Sequence, residues 1–207
     1  MRRPALIFDF GNVIAFFDYA RACEVLGTRL GLSGPDFLAL ARSRGLDELV
    51  RQYERGDITS ETFSRAFCDQ TGLAVPHAEF AAAWADIFWL NAPVAELAVR
   101  LKGRGYTLVL GSNTNEIHAN QFRKQFEGPL APFDRLVLSY EVGHIKPSAG
   151  FYLECARAAG APPSECIFID DMPENVDGAR ASGLLAVRYE DVPSLVAALD
   201  SLGVDAN

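Results

Sequence analysis

Four short apolar runs of this 207-residue chain each lead into residues able to do chemistry. "ALIFDF" carries Asp9, "YTLVLGS" ends on Ser112 with Asn113 after it, "RLVLS" leads through "SYEVGHIKP" to Lys146, and "CIFID" closes on the pair Asp170 and Asp171. Singly, each residue has a bland explanation, since strand-end Asp and Ser often cap the following helix. Together they offer a carboxylate, a hydroxyl, an ammonium and a carboxylate pair at four consecutive run ends, which capping does not account for.

The set has a consistent logic. Asp9, Asp170 and Asp171 gathered in one crevice would repel one another and raise their pKa values. A divalent cation removes that conflict, and all-oxygen ligands point to Mg2+. With the metal present, Asp9 can attack phosphorus as a carboxylate and form an aspartyl-phosphate. Ser112 and Lys146 would bind the phosphoryl oxygens, where the charge of the transition state resides. Water then hydrolyses the acyl-phosphate.

The elements that must position these residues follow from the same runs. Each is only strand length and largely apolar rather than alternating, as suits parallel strands covered on both faces. "LLAVRY" is a further run of this kind. Helix-like stretches separate them: "PVAELAVRLKGRG", "NEIHANQFRKQF", "PSAGFYLECARAAG" and "ENVDGARASG". This alternation predicts a doubly wound α/β domain, in which ligands bind beyond the carboxyl ends of the strands. From Asp18 to Leu90 the pattern breaks, with amphipathic helical segments and no convincing strand. "SGPDFLALARSRGLDELVRQYERG" opens with Ser33 as a cap and Pro35 in the first turn. The expectation is a core formed by residues 1–17 and 91–207, with a helical insertion over 18–90 large enough to form a lid. The residues after Leu202 are expected to fray.

Composition sets the outer limits. With 49% hydrophobic residues, 22% charged residues and a net charge of -8, the chain reads as a globular protein with a sizeable core. It has no electrostatic footprint for nucleic acid or anionic membranes. Its partner is therefore expected to be a small phosphorylated molecule, the chain acting as monomer or homodimer. Cys23, Cys68, Cys155 and Cys166 show no CxxC spacing. They read as free thiols of a reducing, cytoplasmic compartment. No run reaches the length of a membrane span, and the N-terminus does not read as a signal peptide.

In order, "DFGNV", "LVLGSNTN", "IKP" and "FIDDMPEN" resemble the motifs of the haloacid dehalogenase-like (HAD) hydrolase superfamily, over about Asp9 to Leu185. "GNVI", "ERGDITSETF", "SNTNEIH" and "DDMPENVDGA" resemble its branch of bacterial alpha-D-glucose-1-phosphate phosphatases. The resemblance implies a Rossmann-like core with a small helical cap and a Mg2+-dependent phosphatase of small phosphorylated metabolites, sugar 1-phosphates among them. It implies Asp9 as nucleophile, Ser112 and Asn113 as phosphate binders, and Lys146 as the bridge between phosphate and nucleophile. Asp9, the Gly11 carbonyl and Asp171 would hold Mg2+, with Asp170 as a further or supporting carboxylate.

Gly11 departs from the superfamily pattern, which usually has an Asp there as general acid and base; the glucose-1-phosphate branch resembles this chain in having glycine. General acid–base help is worth about 10²–10⁴-fold, so its loss favours substrates with activated leaving groups, such as an anomeric oxygen. Asn12, His144 and Asp18 are candidate replacements. Phe16, Phe17, Trp84, Phe88 and Trp89 flank the insertion, and one or two of them could stack on a sugar ring. Two rival readings remain: a hydrolytic 2-haloacid dehalogenase, against which the acidic pair argues, and a non-catalytic protein that accepts phosphate on Asp9 or binds a phosphorylated ligand.

Overall fold

The structure is a computed structural model that describes residues 3–206. Its first strand, β1 (Ala5–Phe8), is buried at every position. A second short strand, β2 (Ala15–Phe17), leads into five helices: α1 (Tyr19–Gly27), α2 (Gly34–Ser43), α3 (Leu46–Arg55), α4 (Ser60–Thr71) and α5 (His77–Ala85). The strand β3 (Phe88–Leu90) returns the chain. The remainder alternates helix and strand: α6 (Ala92–Gly103), β4 (Leu108–Ser112), α7 (Glu116–Gln125), α8 (Glu127–Leu130), β5 (Arg135–Leu138), α9 (Ser139–Val142), α10 (Ala149–Ala159), β6 (Cys166–Asp170), α11 (Pro173–Ala181), β7 (Leu185–Arg188) and α12 (Val192–Ser201).

Five strands form one parallel sheet in the order β5-β4-β1-β6-β7. The chain builds outward from β1 through β4 to β5, then restarts on the other side with β6 and β7. The carboxyl end of β1 thus lies where the strand order reverses, the usual crevice of an open α/β sheet. The Asp9 N–H extends the ladder by donating to the Ile169 carbonyl at 2.8 Å, which places Asp9 beside the acidic end of β6.

The inserted region departs from expectation in two places. Phe88–Leu90 forms an antiparallel ribbon with Ala15–Phe17, pairing Phe17 with Phe88 and Ala15 with Leu90. A three-residue strand is too short to show alternation, and its partner lies some seventy residues earlier, so neither signal is local. The stretch expected to run on from Ser33 divides into α2 and α3 at Gly45, whose φ of 74° lies in the left-handed region that glycine enters without steric cost. Ser33 does cap α2, accepting from the Asp36 N–H. The C-terminal residues do not fray: Val204 and Ala206 are buried, and the Asp205 N–H donates to the Tyr106 hydroxyl at 2.8 Å. The four cysteines are free. Among the described residues, no helix is long and apolar enough to cross a membrane.

Insertion and sheet share one continuous hydrophobic cluster, from Phe63, Phe67, Phe80 and Trp84 through Phe88 to Phe10 and Phe122. His118 on α7 sits in it, stacked on Trp84 at 5.6 Å between ring centroids. Its Nε2 donates to the Trp84 carbonyl at 2.9 Å, and its Nδ1 faces the Asn115 amide at 2.9 Å. Burial pushes the ring down to about 4, against the raising effect of the Trp84 carbonyl. The folded state therefore keeps His118 neutral at pH values where the unfolded chain takes up a proton, and this contribution to stability is lost as pH falls from about 6.5 toward 4. Between those values wild-type protein should lose up to about 1.4 kcal/mol more per pH unit than His118→Gln, measured by urea unfolding at stepped pH. Equal slopes for the two proteins would contradict the neutral assignment.

Candidate functional site

The ends of β1, β4 and β6 and the loop after α9 converge on one crevice of about 480 Å³, lined by Asp9, Gly11, Asn113, Lys146 and Asp171 among others. A smaller cavity of about 60 Å³ adjoins it and carries Ser112. At the centre is the Lys146 ammonium. Its Nζ lies 2.6 Å from Asp9 Oδ1 and 2.7 Å from Asp170 Oδ2, and all three side chains are buried.

Charge explains the arrangement. Burial works against the Lys146 cation, but Asp9 and Asp170 override it and hold the ammonium above its ordinary range. Burial pushes Asp9 up to about 7, with Lys146 opposing and the neighbouring Asp170 and Asp171 adding to the rise. Burial likewise raises Asp171, against a hydrogen bond from Asn12. Asp9 Oδ1 accepts from both the Phe10 N–H at 2.7 Å and Lys146. Among the described residues nothing hydrogen-bonds Asp9 Oδ2, which leaves it for an incoming atom.

The carboxylates of Asp9, Asp170 and Asp171 each place an oxygen within 4.8 Å of the others. One ammonium cannot neutralise three carboxylates, and the uncompensated, oxygen-only donor set fits a hard divalent cation. The three do not stand equally ready. Asp170 Oδ1 accepts from the Met172 N–H and the Asn175 amide, both at 2.9 Å, while Oδ2 holds Lys146. The Asp171 carboxylate accepts a long 3.2 Å bond from the Asn12 amide. Asn12 reaches it from a left-handed backbone, φ 56°, a conformation that Asn tolerates better than most residues.

The Asn113 side chain holds the Lys146 backbone. Its side-chain oxygen accepts from the Lys146 N–H at 2.8 Å and its amide donates to the Lys146 carbonyl at 3.2 Å. The side chain thus clamps the backbone of the central lysine. The structure also separates the residues weighed as substitutes for an acid at position 11. Asn12 holds Asp171. Asp18 is exposed and caps α1 through the Ala20 N–H. His144 is exposed and packs against Gly150 at the start of α10. Of the flanking aromatics, only Phe17 lines the large crevice, together with Tyr19; Trp84 and Phe88 are buried, and Phe16 pairs with the exposed Trp89.

Two residues of the site were not singled out from the sequence. Asn175 sits beside the acidic motif and was findable as a polar neighbour of Asp170. Glu54 lines both cavities from α3. In "RQYERGD" it looks like one more charge on a solvated helix face, and only the packing of α3 turns it inward.

Comparisons with known proteins show what the chain is similar to. The chain is 27% identical over 194 residues to D-ribitol-5-phosphate phosphatase of Bacteroides thetaiotaomicron, covering 90% of this chain and 91% of that protein. It is 28% identical over 191 residues to the sesquiterpene phosphatase astK of Aspergillus oryzae, covering 90% of each. A HAD family enzyme of Bacteroides thetaiotaomicron, solved in complex with magnesium and inorganic phosphate, superposes with a TM-score of 0.76 at 26% identity, covering 91% of this chain and 95% of that one. The family profile of haloacid dehalogenase-like hydrolases matches residues 4–183, a span that takes in Asp9, Ser112, Lys146, Asp170 and Asp171. The chain belongs to the haloacid dehalogenase-like hydrolases.

Proposed function

We propose that this chain is a Mg2+-dependent phosphomonoesterase of small phosphorylated metabolites, sugar phosphates foremost, working through an aspartyl-phosphate on Asp9. The observation that carries the proposal is the buried Lys146 ammonium within 2.7 Å of two carboxylates, with a third carboxylate beside them. Such a cluster serves a divalent cation, and with it an incoming phosphate, better than it serves stability, because buried ion pairs recover little more than their desolvation cost.

Asp9 Oδ2 is the attacking atom, while the Phe10 N–H and Lys146 hold Oδ1 and fix the carboxylate plane. Asp9, Asp171 and the Gly11 carbonyl would hold Mg2+, which would supply positive charge to offset the carboxylates and the phosphoryl group. Asp170 supports from behind by holding Lys146 and the start of α11. Ser112 offers its hydroxyl and Asn113 its backbone N–H to the phosphoryl oxygens. The helices of 18–90 act as the cap, presenting Phe17, Tyr19, Arg51 and Glu54 to the organic part of the substrate.

The sugar-phosphate preference draws on the ribitol-phosphate relative and on that lining. Arg51 and Glu54 offer hydrogen-bonding partners to a polyhydroxylated group, whereas an apolar chain like that of a sesquiterpene would bury them unpaired. A dehalogenase has no use for a metal-binding cluster, so chelation separates the two chemistries.

Asp9→Asn should lower phosphate release at least about 10³-fold with the fold intact by circular dichroism. Wild-type turnover in that variant would remove Asp9 as the nucleophile. Chelation with EDTA should abolish phosphate release and added Mg2+ restore it; halide release from a 2-haloacid that persists in EDTA would favour the dehalogenase. Lys146→Met leaves Asp9 and Asp170 uncompensated and should cost about 3–5 kcal/mol of stability without metal, with Mg2+ recovering part of the loss in a thermal melt.

A further inference from the structure

We propose that Glu54 is the general acid and base of this site, delivering a proton to the departing oxygen of the substrate and taking one from the hydrolytic water. The proposal rests on the phosphatase reading above and supplies the proton transfer that Gly11 cannot.

Position 11 has neither the group nor the room. A Cβ built on Gly11 would lie 2.9 Å from Cε1 of Phe17, so the Phe17 ring already fills the side-chain direction there. Any proton donor must enter from another side. The large crevice and the smaller cavity beneath it have five lining residues in common, Gly11, Phe17, Tyr19, Glu54 and Asn113, and Glu54 is the one carboxylic acid among them. It therefore borders both the space beside Asp9 and the space beside Ser112.

The segment carrying Glu54 is bolted to the sheet domain on both sides of it. The Tyr53 hydroxyl accepts from the Ile117 N–H at 3.1 Å and bonds Ser60 at 2.6 Å, and Ser60 in turn bonds Glu116. Gly56, at the end of α3, has a φ of 80° and approaches the core so closely that a Cβ would stand 2.3 Å from the Tyr140 carbonyl oxygen. One lock lies next to Glu54 in sequence and the other two residues beyond it. A surface carboxylate would need neither.

Glu54 itself is unspent. It makes no hydrogen bond and no ion pair with another side chain among the described residues, in contrast to Asp9, Asp170 and Asp171. The charged and titratable groups around it are Lys146 of the loop after α9, Arg51 on its own helix and Tyr19 of α1, with the neutral His118 of α7 across the smaller cavity. Burial pushes the Glu54 carboxyl up to about 7, against Lys146 and Arg51, so both of its protonation states are accessible near neutrality, as an acid–base group requires. Besides Asp9 and Asp171, the remaining acid lining the crevice is Glu174, which is exposed in the first turn of α11.

The protons balance over the cycle. As the bond from Asp9 to phosphorus forms and the ester P–O bond breaks, the Glu54 carboxyl gives its proton to the departing oxygen. When water attacks the aspartyl-phosphate and the bond from Asp9 to phosphorus breaks, the Glu54 carboxylate takes the water proton and returns to its starting state.

The test compares p-nitrophenyl phosphate, whose leaving group needs no proton, with benzyl phosphate, whose alkoxide does, in the presence of Mg2+. Glu54→Gln should lower kcat/KM for benzyl phosphate by about 10²–10⁴-fold and leave that for p-nitrophenyl phosphate within about tenfold. With p-nitrophenyl phosphate its kcat should still fall, after a burst of one nitrophenolate per enzyme, because hydrolysis of the phosphoenzyme has lost its base. Formate should partly restore benzyl phosphate turnover to Glu54→Ala, which has space for it. An equal loss on both substrates without a burst, the signature of a positioning or structural role, would overturn the proposal. So would unchanged rates, or the same substrate-selective loss in Glu174→Gln instead. Wild-type protein that hydrolyses neither substrate would sink the phosphatase reading itself, and Glu54 with it.

Discussion

A buried ammonium bracketed by two carboxylates organises this molecule. Lys146 lies 2.6 Å from Asp9 and 2.7 Å from Asp170, so the ends of the adjacent strands β1 and β6 are tied to a loop from beyond β5. Removing water from three charged groups is expensive, and the arrangement persists only because each group is further satisfied. Phe10 holds Asp9, Met172 and Asn175 hold Asp170, and Asn113 grips the lysine backbone on both sides. The third carboxylate, Asp171, forms no ion pair among the described residues, and that leftover negative charge gives a divalent ion its place.

The same constraint accounts for the topology. A strand that ends in a buried carboxylate must end where other chain ends can reach it, and a parallel sheet whose order reverses beside β1 offers such a point. The central strands β4, β1 and β6 are buried at every position because both faces are covered, so polar residues collect at their carboxyl ends. The helical insertion departs from the chain just past that point and returns through the ribbon of β2 and β3. Its inner residues are thereby brought back over the crevice, and the shared aromatic cluster fixes their distance from it.

Glycine plays opposite parts at the two sides of the crevice. Gly11 leaves the first strand loop without a proton-bearing side chain and yields the space to Phe17. Gly56 permits a backbone approach to Tyr140 that any larger residue would block. Together they move acid–base chemistry from the sheet to the insertion, so that proton transfer depends on how the inserted helices are seated.

The residues from Asp9 to Asp171 that make the charged cluster were legible in the amino-acid sequence, because each follows an apolar run and strand ends converge in a parallel sheet. Metal preference followed from the same residue types, since hard oxygen donors admit few alternatives. Three-dimensional packing decided what local pattern cannot carry. The strand at Phe88–Leu90 exists only through its partner at Ala15–Phe17. The Asn113 side chain pairs with the Lys146 backbone, thirty-three residues on, a contact that no local pattern announces. Glu54 reads along the chain as an ordinary helical charge, and only the seating of α3 between Ile117 and Tyr140 gives it a catalytic address. Sequence periodicity reports which face of an element is apolar; which polar side chain meets which is set by contacts between segments far apart in the chain.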